Sequence, residues 1–269
     1  MRRLEGEDAS GARRRTLLVQ VEASQGTEER PDARGRALAY HSRAMLPARS
    51  DRDTLPPRQD PNQAALRIVQ REIAACTLCV AGGFIPSALP IFHGHAGQEL
   101  MVVGQAPGPT AGERPLPFTG ASGKVLQGWL ERAGFPPGAL HERFYLTSLT
   151  KCFPGKAVGS AGKGDRPPSA AEIALCARHL DRELALVRPQ VVVSLGRLAA
   201  ERLDPTARRL PLAELVGSVR RAERAGHAFA LVPLPHPSGV SRWLNDPAHR
   251  GRLEEGLAAL RHLVGSSPV

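Results

Sequence analysis

The sequence predicts an α/β fold, a parallel sheet covered on both faces by helices, and three observations carry that expectation. Short apolar runs alternate with helix-like stretches from Asp60 onward. One run, "QVVVSLG" at 190–196, is apolar throughout, as a strand buried between two helix layers must be. Gly- and Pro-rich loops follow the other strand-like runs, so the pattern is that of successive parallel units rather than of a meander.

Residues 1–59 stand apart. They are rich in Arg, Pro, Ser, Asp and Glu, with 12 Arg against nine acidic residues, and only "TLLVQVEAS" at 16–24 and the stretch from Ala37 to Met45 break the polar pattern. Such a segment buries too little apolar surface to offset its ordering entropy and is expected to be a mostly disordered basic tail. The folded domain is expected over 60–269.

It opens with "DPNQAALRIVQREIAAC", where Asp60 can cap, Pro61 suits the first turn, and Leu66, Ile68, Val69 and Ile73 form an apolar side. That helix delivers the chain to "CTLC" at 76–79. A first strand, "ELMVVG", leads through "GQAPGPTAGERPLPFTG" into the helical "SGKVLQGWLERAGF", with Val125, Leu126, Trp129 and Leu130 on one face. "RFYLTSL" at 143–149 suits a second strand. The helix after it spans "PPSAAEIALCARHLDRELALVRP", opened by a capping box from Ser169 to Glu172 and closed before Pro189. The strand at 190–196, a short helix at "RLAAERL", a fourth strand in "HAFALVPLPHPSG" and a last helix carrying Leu253, Leu257, Leu260 and Leu263 complete the domain. Ligands of such sheets bind beyond the carboxyl ends of the strands, so the loops at 104–120, 148–156 and 236–242 are expected to share one rim.

The chain has 269 residues, a net charge of +10 and a basic content that is almost all Arg, with Lys only at 124, 151, 156 and 163. A polyanionic partner fits that balance, since neutralising phosphates releases counterions. No apolar run approaches the roughly 20 residues of a membrane helix, and no signal-type apolar core follows the basic start. A cytoplasmic, monomeric protein is expected, and in that compartment four cysteines are not expected to form two structural disulfides.

The cysteines fall at 76, 79, 152 and 176, one C-x2-C pair and two distant single residues. Thiolates suit zinc or iron–sulfur centres. A structural zinc usually presents two close pairs, so this spacing favours a cubane cluster that pins the first helix to the second unit. Zinc and a set of buried thiols with an accidental CxxC are the alternatives, and a thioredoxin-like pair fits less well because Cys76 ends a helix rather than following a strand.

Taken together, "GQAPG" at 104–108, "PFTGASGKVL" at 117–126, "TSLTKCFP" at 147–154, "PHPSG" at 235–239 and the ordered cysteines resemble the uracil-DNA glycosylase superfamily, most closely its bacterial and archaeal iron–sulfur branches (family 4 and family 5-like). The resemblance covers roughly residues 62–265. It implies a three-layer α/β/α fold with a four-stranded parallel sheet, a [4Fe–4S] cluster on Cys76, Cys79, Cys152 and Cys176, and excision of uracil or a related deaminated base from single-stranded or mismatched DNA, by a protein associated with the nucleoid. It further implies a base pocket of Gly104, Gln105, Ala106, Phe118, Ser148 and His236, with Phe118 stacking on the extruded base. His236 would stabilise charge developing on the leaving base, and Gln105 would orient water. Ser238 would hold a DNA phosphate, while Gly239, Val240, Ser241 and Arg242 lie where the family places a wedge in the minor groove.

Three departures from the family pattern bear on function. No acid stands where related branches place one to handle the water: position 106 is Ala, 109–112 read "PTAG", Ala121 follows the FTG, and Glu113 lies where other members need no acid. Ser148 replaces an Asn that elsewhere pairs with the uracil edge, and a hydroxyl cannot span the two contacts of an amide. "PGKAVGSAGKGDRPPS" lengthens the interval between Cys152 and Cys176 and reads as a flexible basic loop able to touch DNA. These departures fit a monofunctional glycosylase that relies on leaving-group stabilisation, and equally an iron–sulfur protein of the same fold that binds DNA without excision.

Overall fold

The computed structural model describes residues 61–109, 115–157, 164–238 and 242–265. The tail at 1–59, the capping Asp60, Glu113, the middle of the long loop after Cys152, and Gly239, Val240 and Ser241 lie outside the described residues.

The elements run α1 (Pro61–Ala74), α2 (Leu78–Ala81), β1 (Leu100–Gly104), α3 (Ala121–Arg132), α4 (Ala139–Arg143), β2 (Phe144–Ser148), α5 (Ala170–Val187), β3 (Val191–Leu195), α6 (Arg197–Leu203), α7 (Leu212–Leu215), β4 (Arg220–Arg224), β5 (His227–Leu234) and α8 (Pro247–Gly265). The sheet order is β2-β1-β3-β5-β4. The first four of these are parallel, and β4 pairs antiparallel with β5.

Every residue of β1, β2 and β3 is buried, and their side chains alternate between two cores. Leu100, Val102, Phe144, Leu146 and Val193 meet Leu126, Trp129 and Leu130 of α3 and Leu253, Leu257 and Leu260 of α8. Met101, Val103, Tyr145 and Val192 face the other way, onto Leu66 of α1, Leu180 and Leu184 of α5 and Ala199 and Leu203 of α6. Two helical layers thus enclose the sheet, and the α/β/α class holds.

The sheet has five strands rather than four. The additional one, β4, reads "RRAER" and buries only Ala222, so its charged edge hides the strand pattern. Its turn into β5 also carries no Asn-Gly signal: Ala225 and Gly226 both adopt positive φ, at 54° and 70°, as two-residue hairpins demand. Two apolar side chains assigned to helix faces point outward instead: Val125 is 39% and Ile68 48% exposed. Each lies roughly 100° or more around its helix from the middle of the buried stripe, which runs through Leu126, Trp129 and Leu130 in α3 and through Leu66, Val69 and Ile73 in α1. The capping box forms as read, with Ser169 Oγ accepting from the Glu172 backbone N–H.

Candidate active site and cysteine cavity

β1 sends the chain to β2 on one side, and the next strand, β3, lies on the other, so the order reverses at β1 and opens a crevice beyond the strand ends. The parallel register sets those ends level: Gly104 pairs with Ser148, and Leu195 with Leu234. Backbone bonds carry the alignment past the strands. The Leu149 N–H donates to the Gly104 carbonyl at 3.0 Å, Thr150 N–H to the Gln105 carbonyl at 3.2 Å, and Gly196 N–H to the Leu234 carbonyl at 2.9 Å.

Gly196 is where Gln105 and His236 meet. Its φ of 82° is glycine territory, and a Cβ there would lie 2.8 Å from Gln105 Nε2 and 3.4 Å from His236 Cβ. The two side chains therefore flank a bare stretch of backbone. His236 sits half-buried between the buried Pro235 and Pro237, and burial pushes its imidazole below the ordinary value of 6.5. Burial thus favours the neutral form, which keeps one N–H to donate. Gly196 was not singled out from sequence, although a Gly closing the apolar "VVVSLG" run is the available signal.

Phe118 reaches the same rim. It holds a left-handed backbone, φ 58°, rare for an aromatic residue. Two glycines make room for it: a Cβ on Gly123 would lie 1.6 Å from the Phe118 carbonyl oxygen, and one on Gly104 would lie 3.3 Å from the tip of its ring. The preceding carbonyl, of Pro117, bonds His141 Nε2 at 2.7 Å, so α4 anchors the loop from the other side. Strain of this kind persists only where the surroundings over-determine it.

Ser148 is buried, and its hydroxyl donates to the Thr150 carbonyl at 2.9 Å. Since that carbonyl can only accept, the Ser148 proton is committed and the oxygen faces any ligand as an acceptor. Ala106 and Ser238 are half-buried, and Arg242 is exposed. Gly104, Gln105, Phe118, Ser148 and His236 are thus brought to one rim, while Gly239 lies outside the described residues.

Behind β2, toward α1 and α5, all four cysteines line one cavity, together with Ile85, Thr150, Lys151, Glu172 and His179. The C-x2-C pair arrives from the end of α1 and α2, Cys152 from the loop after β2, and Cys176 from α5. Burial pushes the Cys79, Cys152 and Cys176 thiols up, Cys152 to about 11, and neighbouring cysteines push in the same direction. Among the described residues no three His, Cys, Asp or Glu side chains stand close enough to hold a single ion. Four thiolates on one cavity are a soft donor set, of the kind that zinc and iron–sulfur groups take.

A buried ion pair connects the cavity to the rim. Lys151 and Glu183 lie 2.7 Å apart and are 2% and 0% exposed. Lys151 Nζ also donates to Thr147 Oγ1 at 2.5 Å and to the Ser148 carbonyl at 2.7 Å. Tyr145 and Thr147 donate to the two Glu183 oxygens, so both charges are compensated. This network is not legible in the sequence because Glu183 stands far along the chain from Tyr145, Thr147 and Lys151 and meets them only across the α5–β2 contact.

The long loop is pinched at its base. Lys156 and Asp165 pair at 2.6 Å, and Arg166 N–H donates to the Gly155 carbonyl at 3.0 Å. Arg166 then grips Glu172 with two bonds, of 2.7 and 2.9 Å, and reaches the Phe84 carbonyl. Burial would raise the Glu172 carboxyl, but bonds from Arg166 and Ser169 outweigh it and hold it below its ordinary value. The extra residues thus leave the cavity wall anchored at both edges.

Similarity to known proteins agrees with this geometry. The chain is 27% identical over 208 residues to a type-4 uracil-DNA glycosylase of Saccharolobus solfataricus, spanning 76% of this chain and 88% of that protein. It is 29% identical over 207 residues to a type-4 uracil-DNA glycosylase of Archaeoglobus fulgidus, spanning 73% and 92%. A type-4 uracil-DNA glycosylase of Pyrobaculum aerophilum is 29% identical over 188 residues, spanning 69% and 88%. Residues 91–258, more than half of the chain, match the profile of the uracil DNA glycosylase superfamily, and the chain belongs to that superfamily.

Proposed function

We propose that this chain is a monofunctional DNA glycosylase of base excision repair, which extrudes uracil or a related deaminated base and hydrolyses its N-glycosidic bond. The observation that carries this reading is the meeting of Gln105 and His236 across Gly196 at the switch point, beside the strained Phe118. A base inside a duplex is out of reach, so the substrate is DNA that yields its base at low cost, single-stranded or mismatched.

In this reading the extruded base stacks on Phe118, and Ser148 Oγ accepts the base N3–H. His236 donates from its neutral imidazole to the carbonyl O2. As the bond between C1′ and N1 breaks, its electron pair goes to the base and spreads onto O2, where the donor is aimed. The sugar is left as an oxocarbenium ion, stabilised in part by DNA phosphates. A water oriented by Gln105 adds its oxygen to C1′, and its proton ends on the departed base. Glutamine cannot accept that proton, so the burden falls on leaving-group stabilisation. Ser238 holds a backbone phosphate, and Gly239 and Arg242 follow the strand beyond it.

Cys76, Cys79, Cys152 and Cys176 hold a [4Fe–4S] cluster. When bound it cross-links α1 and α2 to the β2 loop and α5, a structural role away from the rim. The protein acts as a monomer in the cytoplasm, on the nucleoid. No described helix is long and apolar enough to cross a membrane.

The test uses labelled oligonucleotides carrying uracil or hypoxanthine, single-stranded or mismatched, incubated with pure protein and cleaved at abasic sites by alkali. Strand breaks at uracil are expected. No breaks on any substrate would favour the protein that only binds, the reading that the absent acids of the first loop support.

A further inference from the structure

The polar side chains around the cysteine cavity are, with one exception, occupied. Lys151 is shared among Glu183, Thr147 and the Ser148 carbonyl. Glu172 is held by Arg166 and Ser169, and Thr150 Oγ1 donates to the Cys152 carbonyl at 3.4 Å. His179 is the exception. It is 1% exposed, lines the cavity, and finds a partner for neither Nδ1 nor Nε2 among the described residues.

A buried imidazole with both nitrogens unpaired bears the desolvation cost of its polar atoms without return, so such residues point to something that fills the gap. His179 follows Cys176 by three residues on α5, which sets the two side chains on one helical face. An imidazole always carries at least one N–H. The neighbouring backbone does part of the same work, since Lys151 N–H already points at Cys176 Sγ from 3.4 Å. A ring that served only to fill space would need no nitrogen, and a Phe would pack as well.

We propose that His179 donates a hydrogen bond to a sulfur, sulfide or thiolate, of the cluster held by the four cysteines. This rests on the cluster reading given above. His179 is a positioning residue in this role: it stabilises charge on the cluster sulfurs and orients the α5 side of the cavity, and it touches neither DNA nor water at the rim. Hydrogen bonds to cluster sulfurs tune the electronics of such centres, and outer partners of this kind orient the ligands themselves.

The experiment compares the full-length wild-type chain with His179→Phe, which keeps an aromatic ring without N–H, and His179→Gln, which keeps a donor. Each is reconstituted anaerobically in H2O and in D2O, assayed for iron and sulfide, and its Fe–S stretching bands are recorded by resonance Raman. Expected are displaced bands in His179→Phe and a smaller D2O shift than in wild type, with His179→Gln lying nearer to wild type. A fully loaded His179→Phe with wild-type bands and a wild-type D2O shift would overturn the proposal, leaving His179 as packing or as a partner of water. If His179→Phe loads no iron, His179→Gln decides: loading with a wild-type D2O shift supports the hydrogen bond, and failure to load would make His179 a ligand or a fold requirement instead. A wild-type chain without iron and sulfide overturns the cluster, and the inference with it, whatever its uracil excision shows.

Discussion

The rim at the strand ends and the cysteine cavity behind β2 share the segment from Thr147 to Cys152, yet they are built on opposite terms. At the rim, Gln105, Ser148 and His236 keep hydrogen-bonding capacity in reserve, and glycines 104, 123 and 196 hold the space around them open. Around the cavity, charge is buried and spent: Lys151, Glu183, Glu172 and Arg166 are all engaged with one another or with backbone. A site that must receive a base and respond to charge forming on it needs unspent donors and room. A site that only holds an inorganic group in place needs rigidity, and the ion pair transmits that rigidity to the Ser148 carbonyl.

The largest effect is expected where the rigid region is broken. Lys151→Met strands a buried carboxylate and should cost about 3–5 kcal/mol in denaturant unfolding. Adding Glu183→Gln should recover part of that loss, and a double variant as unstable as the two losses summed would mean that the pair does not act as a unit. Next comes the open region. Gly196→Ala forces a glycine-only backbone, about 1–3 kcal/mol, and crowds Gln105 and His236, so excision should fall further than stability does. Equal losses in both would reduce Gly196 to a fold requirement.

Ser148→Asn tests the unspent acceptor. Restoring an amide should raise preference for uracil over hypoxanthine by about tenfold, the scale of one added base contact at 1–3 kcal/mol. An unchanged ratio would remove Ser148 from base reading. The smallest effect is a pH dependence. Because burial holds the His236 pKa below 6.5, the unfolded chain takes up its proton first as pH falls. The His236 contribution is intact above pH 6.5 and is lost as pH drops from there through the folded value. His236→Asn should therefore flatten the stability profile on the acid side of 6.5 and leave the alkaline side unchanged, as followed by urea midpoints.

Much of this was legible in the chain itself, and what was not has physical causes. The β-α alternation, the capping box at Ser169 and the convergence of three loops follow from periodicity and turn residues, which act locally. The hairpin of β4 is hidden in the sequence because Ala225 takes a positive φ where Asn or Gly is usual. Val125 and Ile68 read as inward from a count of apolar positions, but both stand off the centre of the buried stripe once the helical angle is applied. Lys151 and Glu183 read as ordinary charges until α5 packs on β2, and only then do they become a buried pair. His179 resembled any helix histidine for the same reason: its surroundings, not its neighbours in sequence, leave its nitrogens unpaired. The residues of the rim are legible through motif resemblance, whereas Gly196, which brings two of them together, closes the apolar "QVVVSLG" run and belongs to none of the motifs that carry the resemblance.

If His236 drives excision by stabilising the leaving base, its removal must slow the chemical step itself. Single-turnover release of uracil from single-stranded DNA, with enzyme in excess at pH 7.5, measures the chemical step for wild type and His236→Ala. His236→Ala is expected to lose about 100- to 1,000-fold, the scale of removing one donor aimed at a developing anion, with DNA binding retained. Wild-type rates in His236→Ala would contradict that role.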